Sequence, residues 1–216
     1  MTHAAGVSIA LPTGALFTGA LRVLSRAGLA RLSAERLGRQ LLVESSGLRV
    51  ILVRPADVPA YVDHGAADLG IVGKDVLWET PGSRYELVDL RFGACNMVLA
   101  VPEASALDGP ATWPATFRVA TKYPRTASAW FEERGQAVEV VRLHGSVELA
   151  PQVGLVDGIV DLTATGRTLR ENRLRIVAEL GASTARLIAN QASLKTRTAA
   201  LQEAVSRLRE AVVDAG

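Results

Sequence analysis

The chain has 216 residues, 49% of them apolar and 21% charged, so it can bury a substantial core and is too apolar to be a disordered tract. Its 24 basic residues are interleaved with 22 acidic ones; a net charge of +2 with no block of like charge does not mark a nucleic-acid binder. The single cysteine, Cys95, excludes an intramolecular disulfide framework, and the apolar run ACNMVLAV around it reads as a buried strand.

In chain order, short β-branched runs alternate with helical patterns. VSIAL (7–11) is followed by ALFTGALRVLSRAG (15–28), and LRVILV (48–53) by PADVPAYVDHG (55–65). Strand patterns LGIVG (69–73), YELVDL (85–90) and NMVLAV (96–101) come next. The segment VPEASALDGPATWPATF (101–117), rich in Pro, Ala and small polar residues, then interrupts the rhythm. Beyond it lie strand FRVAT (117–121), helix PRTASAWFEERG (124–135), strand AVEVVRL (137–143), helix SVELAPQVG (146–154), strand GIVDL (158–162), helix RTLRENRL (167–174) and strand ARLIAN (185–190). The last segment, KTRTAALQEAVSRLREAVVDA (195–215), carries Leu201, Val205, Leu208 and Val212 at helical spacing and is the clearest amphipathic helix.

The alternation predicts α/β layers with largely parallel sheets. The mid-chain interruption, and roughly nine strands that would make a wide single sheet, argue for two lobes. The N-terminal apolar stretch lacks a basic lead and is broken by Pro12, Thr13 and Gly14, a poor signal peptide. No apolar run approaches the ~20 residues that cross a bilayer, so a cytoplasmic location is expected.

The stretch most suggestive of chemistry is IVDLTATGRTLREN (159–172), where a strand turns into a helix. Backbone N–H groups at a helix start bind phosphate, and Gly166 lets an anion approach without a Cβ in the way. Thr165 and Thr168 add hydroxyls, and Arg167 adds charge. Asp161, at the carboxyl end of a strand, can accept hydrogen bonds from the two vicinal hydroxyls of a ribose. A phosphorylated ribose satisfies all of these; a capped strand-to-helix turn with no ligand would also produce them. Other phosphate motifs fail: LGIVGKD (69–75) resembles the end of a Walker A loop, but Asp68 stands where its first glycine belongs and Asp75 replaces the Ser/Thr. No G-x-G-x-x-G follows a strand.

Longer blocks carry a resemblance. RPADVPAYVDHGAADLGIVGKDVL (54–77), VATKYPRTASAWFEERG (119–135), LHGSVELAPQVGLVDGIVDLTATGRTLRENRL (143–174) and STARLIANQASLKT (183–196) are similar to the short form of ATP phosphoribosyltransferase, which opens histidine biosynthesis. The third block nearly fits the family signature, with Glu148, Gly154, Asp161, Thr165, Gly166, Thr168 and Leu169 at the expected spacing. The resemblance implies two α/β lobes with mixed or parallel sheets, like type II periplasmic binding proteins, and an inter-lobe cleft. One lobe would comprise residues 1–92 with 178–216, the other 93–177 with the ribose-phosphate loop.

It also implies the reaction: 5-phosphoribosyl passes from phosphoribosyl pyrophosphate (PRPP) to N1 of ATP, releasing pyrophosphate, with magnesium carried by the substrates rather than by a dedicated site. Carried over by position, Thr165 to Thr168 would hold the 5-phosphate, Asp161 the ribose hydroxyls, and Glu148 would lie nearby. A homodimer and a regulatory subunit resembling histidyl-tRNA synthetase are the implied partners.

Displacing pyrophosphate from C1 puts cationic character on the sugar and negative charge on the leaving group, so positioning and cations should dominate catalysis. Here the sequence departs from its family. The family's Pro-Lys-Gly-Arg after the first strand is Pro12-Thr13-Gly14-Ala15, its Ser-Arg-Lys-Leu is Gly38-Arg39-Gln40-Leu41, and Asn96 stands where a basic residue usually follows the cysteine. Arg39 is expected to assist the leaving pyrophosphate, with Arg54, Lys122, Thr13 and Gly14 as weaker phosphate-facing candidates. Arg54 could instead cap the helix begun by Pro55. A weakened or non-catalytic paralogue that only binds ligand is the alternative. His64 reads as a turn residue and His144 as a cleft candidate, while His3 lies in the N-terminal tail; the three histidines and Cys95 show no metal-ligand spacing.

Overall fold

A computed structural model describes residues 6–33, 35, 38, 40–196 and 198–213. The elements, in chain order, are β1 (Val7–Pro12), α1 (Phe17–Arg26), β2 (Leu42–Ser45), β3 (Leu48–Val53), α2 (Val58–Asp63), β4 (Leu69–Gly73), α3 (Lys74–Glu79), β5 (Tyr85–Asp89) and β6 (Cys95–Pro102). They continue with β7 (Thr116–Thr121), α4 (Pro124–Glu132), β8 (Ala137–Arg142), β9 (Gly158–Thr163), α5 (Arg167–Glu171), β10 (Leu174–Ser183), β11 (Ala185–Ala189), α6 (Gln191–Thr196) and α7 (Thr198–Val213). The chain divides into two lobes, one from residues up to Gly93 plus those from Thr184 onward, the other from Ala94 to Ser183.

The first lobe holds a six-stranded sheet in the order β2-β3-β1-β4-β11-β5. β1 runs parallel to β3 and β4, while β2, β11 and β5 pair antiparallel. Successive residues of β1 point to opposite faces. Ile9 and Leu11 pack with Leu24 of α1 and Leu201 and Leu208 of α7, whereas Ala10 packs with Val58 and Val62 of α2. A sheet covered on both faces needs apolar residues at every position, which is why β4, LGIVG, is buried throughout.

The carboxylate that spoils the Walker A reading is part of this packing. Asp68, 4% exposed, accepts hydrogen bonds from the Ser8 N–H (2.8 Å), the Ser8 hydroxyl (2.7 Å) and the Ser193 hydroxyl (2.7 Å). It ties β1 and α6 to the start of β4.

The second lobe holds a five-stranded sheet in the order β10-β6-β9-β7-β8. β7 is parallel to β8 and β9; β6 is antiparallel to β9 and β10. Trp113, Phe117, Trp130 and Phe131 form a stack with ring centroids 5.0 to 6.0 Å apart, and the Arg134 guanidinium lies 3.9 Å over Trp130. Val98, Ala120, Val147, Ile159, Leu169 and Leu174 make a separate apolar cluster. Asp161 sits two residues beyond Ile159 and opposite Val98 in the sheet, so it belongs to that cluster's face.

The structure differs from the sequence reading in several places. Both sheets are mixed, as the family resemblance implies, whereas the strand–helix alternation alone suggested largely parallel ones. β2 and β10 carry no clear strand pattern: β2 is a short edge strand with Leu42 exposed, and two register shifts break the alternation of β10. Residues 178–183 complete β10 and stay with the second lobe rather than returning to the first. The helix read over SVELAPQVG shrinks to one 3-10 turn at Val147–Leu149, because Ser146 (φ 47°) and Gly154 (φ 72°) adopt left-handed backbone at either end. Cys95 opens β6 and is half-exposed, not buried. Arg39 and His3 lie outside the described residues. Among the described residues no helix is long and apolar enough to cross a membrane.

Candidate functional site

The parallel strands β7 and β9 end side by side, with Thr121 opposite Val160. The Thr121 hydroxyl donates to the Val160 carbonyl (2.6 Å) and accepts from the Tyr123 N–H (2.9 Å), fixing the chain as it leaves β7. This brings Lys122 Nζ to 4.0 Å from Asp161 Oδ2. Asp161 is 9% exposed, and its Oδ1 accepts the Leu162 N–H at 2.9 Å. Burial pushes its pKa above the ordinary carboxylate value; the Leu162 amide and Lys122 oppose that shift, and the nearby Glu148 carboxylate adds to it. A carboxylate so stripped of water gains from a ligand that donates hydrogen bonds to it.

Beyond Asp161 the chain turns through Thr163-Ala164-Thr165-Gly166 into α5. The Thr163 hydroxyl accepts the Gly166 N–H at 2.8 Å, a side-chain turn that holds Gly166 in left-handed backbone (φ 69°). The amides of Thr165, Arg167 and Thr168 donate to no acceptor among the described residues. They remain open donors, as first-turn amides do. Glu148, Asp161, Thr163, Thr165, Arg167 and Thr168 line a pocket of ≈ 210 Å³ here. Thr165 and Thr168 are exposed, and Glu148 is half-buried.

Two charged side chains divide their work differently from the sequence reading. Arg167 Nε donates to Glu171 Oε1 at 2.7 Å, so much of its charge is committed on the exposed side of α5. Arg170 Nη1 donates to the Thr165 carbonyl at 3.0 Å and lies 3.0 Å from where a Cβ on Gly166 would stand. Arg170, Thr163 and the pairing of Lys122 with Asp161 all escaped the sequence reading. The T-x-x-G spacing could have flagged Thr163, whereas the contacts of Arg170 and Lys122 appear only once the turn and the neighbouring strand are built.

The other candidates sit in the first lobe. The Thr13 N–H donates to the Val53 carbonyl at 2.8 Å, so Thr13, Gly14 and Arg54 share the carboxyl edge of that sheet. Gly14 is exposed with φ 82°. Arg54 is exposed and occupies the cap position before Pro55, but its side chain makes no capping hydrogen bond. His64 ends α2 as an exposed turn residue, and His144 is exposed in the turn after β8. Among the described residues no three His, Cys, Asp or Glu side chains are grouped to hold a metal ion.

The family model described as HisG: ATP phosphoribosyltransferase matches residues 54–210. An ATP phosphoribosyltransferase of Rubrobacter xylanophilus is 54% identical over 199 residues, 91% of this chain and 92% of its own length. That of Symbiobacterium thermophilum is 49% identical over 209 residues, 95% of each chain. Among solved structures, the ATP phosphoribosyl transferase (HisG:HisZ) complex from Thermotoga maritima is 33% identical, with a TM-score of 0.82 over 96% of this chain and 99% of that one. The alkanesulfonate-binding protein SsuA from Xanthomonas axonopodis pv. citri, 16% identical with a TM-score of 0.58 over 98% of this chain and 74% of that one, shares the fold alone. Matched at this identity over almost its whole length, and with the signature turn after β9 folded as an open row of donors beside a buried carboxylate, this chain belongs to the ATP phosphoribosyltransferase family.

Proposed function

We propose that the chain transfers the 5-phosphoribosyl group of PRPP to N1 of ATP with release of pyrophosphate, the first step of histidine biosynthesis, and that the pocket after β9 holds the donor's ribose phosphate. One observation carries the placement: a nearly buried carboxylate, Asp161, lies beside a turn whose amides at Thr165, Arg167 and Thr168 have no partner among the described residues. In this reading the ribose hydroxyls donate to Asp161 and the 5-phosphate accepts from the turn and the Thr165 and Thr168 hydroxyls. Arg170 holds the turn open through the Thr165 carbonyl, and Lys122 favours the ionised form of Asp161 against the effect of burial.

Adenine N1 then attacks C1 as its bond to the pyrophosphate oxygen breaks, and the cationic character on the sugar is offset by the charge of the buried Asp161 carboxylate. Magnesium carried by the polyphosphates, rather than by a dedicated protein site, would offset the charge of the departing pyrophosphate. In this reading Arg39, outside the described residues, assists the leaving pyrophosphate, and Thr13, Gly14 and Arg54 contribute to binding the phosphates of the second substrate. The enzyme works in the cytoplasm, as a homodimer joined by a histidyl-tRNA-synthetase-like subunit; the HisG:HisZ assembly of the Thermotoga maritima relative supports such a partner.

The missing cations at Thr13, Ala15, Gln40 and Asn96 favour a second reading, a weakened paralogue that binds PRPP without turning it over. Purified chain, alone and with its partner subunit, given ATP, PRPP and magnesium and followed by product absorbance, separates the two. Turnover is expected with the partner; tight PRPP binding without turnover supports the paralogue. The double substitution Thr13→Lys, Ala15→Arg should raise the rate at least about tenfold, and no gain would mean that those positions do not face phosphate.

A further inference from the structure

We propose a second anion site, in the first lobe, where Arg22, Arg26 and Arg91 surround a pocket floored by Phe92 and bind a phosphorylated small molecule with a flat apolar part. The cavity is ≈ 480 Å³, within the size range of small-ligand pockets, and every residue lining it belongs to that lobe.

Three elements build it. α1 is amphipathic, burying Ala20, Leu21, Val23 and Leu24 while leaving Arg22 and Arg26 exposed. Gly19, Arg22 and Arg26 recur at three and four residues and so lie on one stripe. The last turns of α7 supply an apolar wall, Ala211 and Val212, 7% and 8% exposed. The third element is the segment after β5, pinned to β11 twice: the Leu90 N–H donates to the Ala185 carbonyl and the Ala185 N–H to the Phe92 carbonyl, each at 2.9 Å.

Two features show that this concavity is held rather than incidental. A Cβ on residue 19 would overlap the Phe92 ring, so glycine there lets the ring lie directly on the backbone of α1. Arg91, between the two pinned residues, has left-handed backbone (φ 55°) with its amide held by Asp89 Oδ1 at 2.9 Å. A non-glycine residue keeps that conformation only when its surroundings impose it.

The charges are unbalanced. Among the described residues none of these three guanidiniums is in an ion pair, whereas Lys74, Arg84 and Arg186 of the same lobe are. Asp89 is attracted by Arg91 but is already engaged by the Thr184 hydroxyl (2.8 Å) and by Arg186 (3.2 Å). The carboxyl end of α7 contributes about half a negative charge, against three positive ones. A phosphate dianion suits forked guanidinium donors, and the room left over Phe92 and Val212 suits an apolar ring.

Phenyl phosphate, a dianion with a flat ring and no ribose, is the probe. It is titrated into the isotope-labelled full chain at constant ionic strength while the arginine Nε–Hε signals are followed, with inorganic phosphate in a parallel arm. Phenyl phosphate should shift the Arg22, Arg26 and Arg91 signals and bind at least about tenfold more tightly than inorganic phosphate. The double variant Arg22→Gln, Arg26→Gln should lose at least about tenfold of that affinity with an unchanged melting temperature and an unchanged KM for PRPP. No saturable shift, equal affinity for the two anions, or full affinity in the variant would each overturn the proposal.

Discussion

Replacing Asp161 by Asn tests the site and separates function from stability, because the two should move in opposite directions. Asn keeps the oxygen that accepts the Leu162 N–H but puts an amide NH₂ where Oδ2 faces Lys122. One charge-assisted hydrogen bond from a ribose hydroxyl is lost, and with it the negative charge that offsets the cationic sugar. A bond of that kind contributes about 2–3 kcal/mol, so kcat/KM for PRPP should fall roughly 30- to 160-fold. Stability should rise. The folded-state pKa of Asp161 lies above its unfolded value, so ionisation is disfavoured by folding. That penalty is absent below the unfolded pKa of about 3.8, develops as pH rises above it, and is complete only above the folded pKa. The variant should therefore melt above the parent at pH 7, with the difference shrinking as pH falls toward 4. Steady-state kinetics with PRPP varied and thermal melts at several pH values give both readings. A kcat/KM within threefold of the parent, or a variant that melts lower at pH 7, would refute the reasoning.

Gly166→Ala places a Cβ in left-handed backbone, which costs about 1–2 kcal/mol, and crowds the approach to the open amides, so a lower melting temperature and a raised KM for PRPP are expected. Arg170→Ala should raise that KM about tenfold with little change in kcat, whereas Arg167→Ala, whose partner is Glu171, should change it less than threefold; steady-state kinetics of the pair decide which arginine supports the turn. Asp68→Ala removes the acceptor of the Ser8 N–H, the Ser8 hydroxyl and the Ser193 hydroxyl in the core and should destabilise the chain by about 3–5 kcal/mol in denaturant unfolding.

Legibility in the sequence followed the reach of the interaction. The strands β1, β3, β4 and β9 were readable because their residues are buried on both faces or alternate cleanly, and α7 because its Leu201–Leu208 stripe repeats at helical spacing. β10 was not, because bulges between Ile176 and Ala178 and between Glu179 and Gly181 shift which residues face inward. The segment 146–154 has helical composition, but its ends adopt left-handed backbone, and tertiary packing of Val147 and Ala150 overrides its propensity. Asp161, Thr165, Arg167 and Thr168 were legible as a group because one turn carries them all. Lys122, from the neighbouring strand, was only a weak candidate, since its 4.0 Å approach to Asp161 depends on β7 and β9 lying side by side.

The position of β11 in the first sheet has a consequence for biosynthesis. β11 is inserted between β4 and β5, yet it is made almost a hundred residues after β5 ends. On the ribosome, a nascent chain that has emerged as far as Ser183 already contains every strand of the second sheet but leaves β4 and β5 with no strand to join them. The later-starting lobe is thus free to mature while the earlier one waits with two unmatched strand edges, the surfaces on which a stalled or truncated product would aggregate.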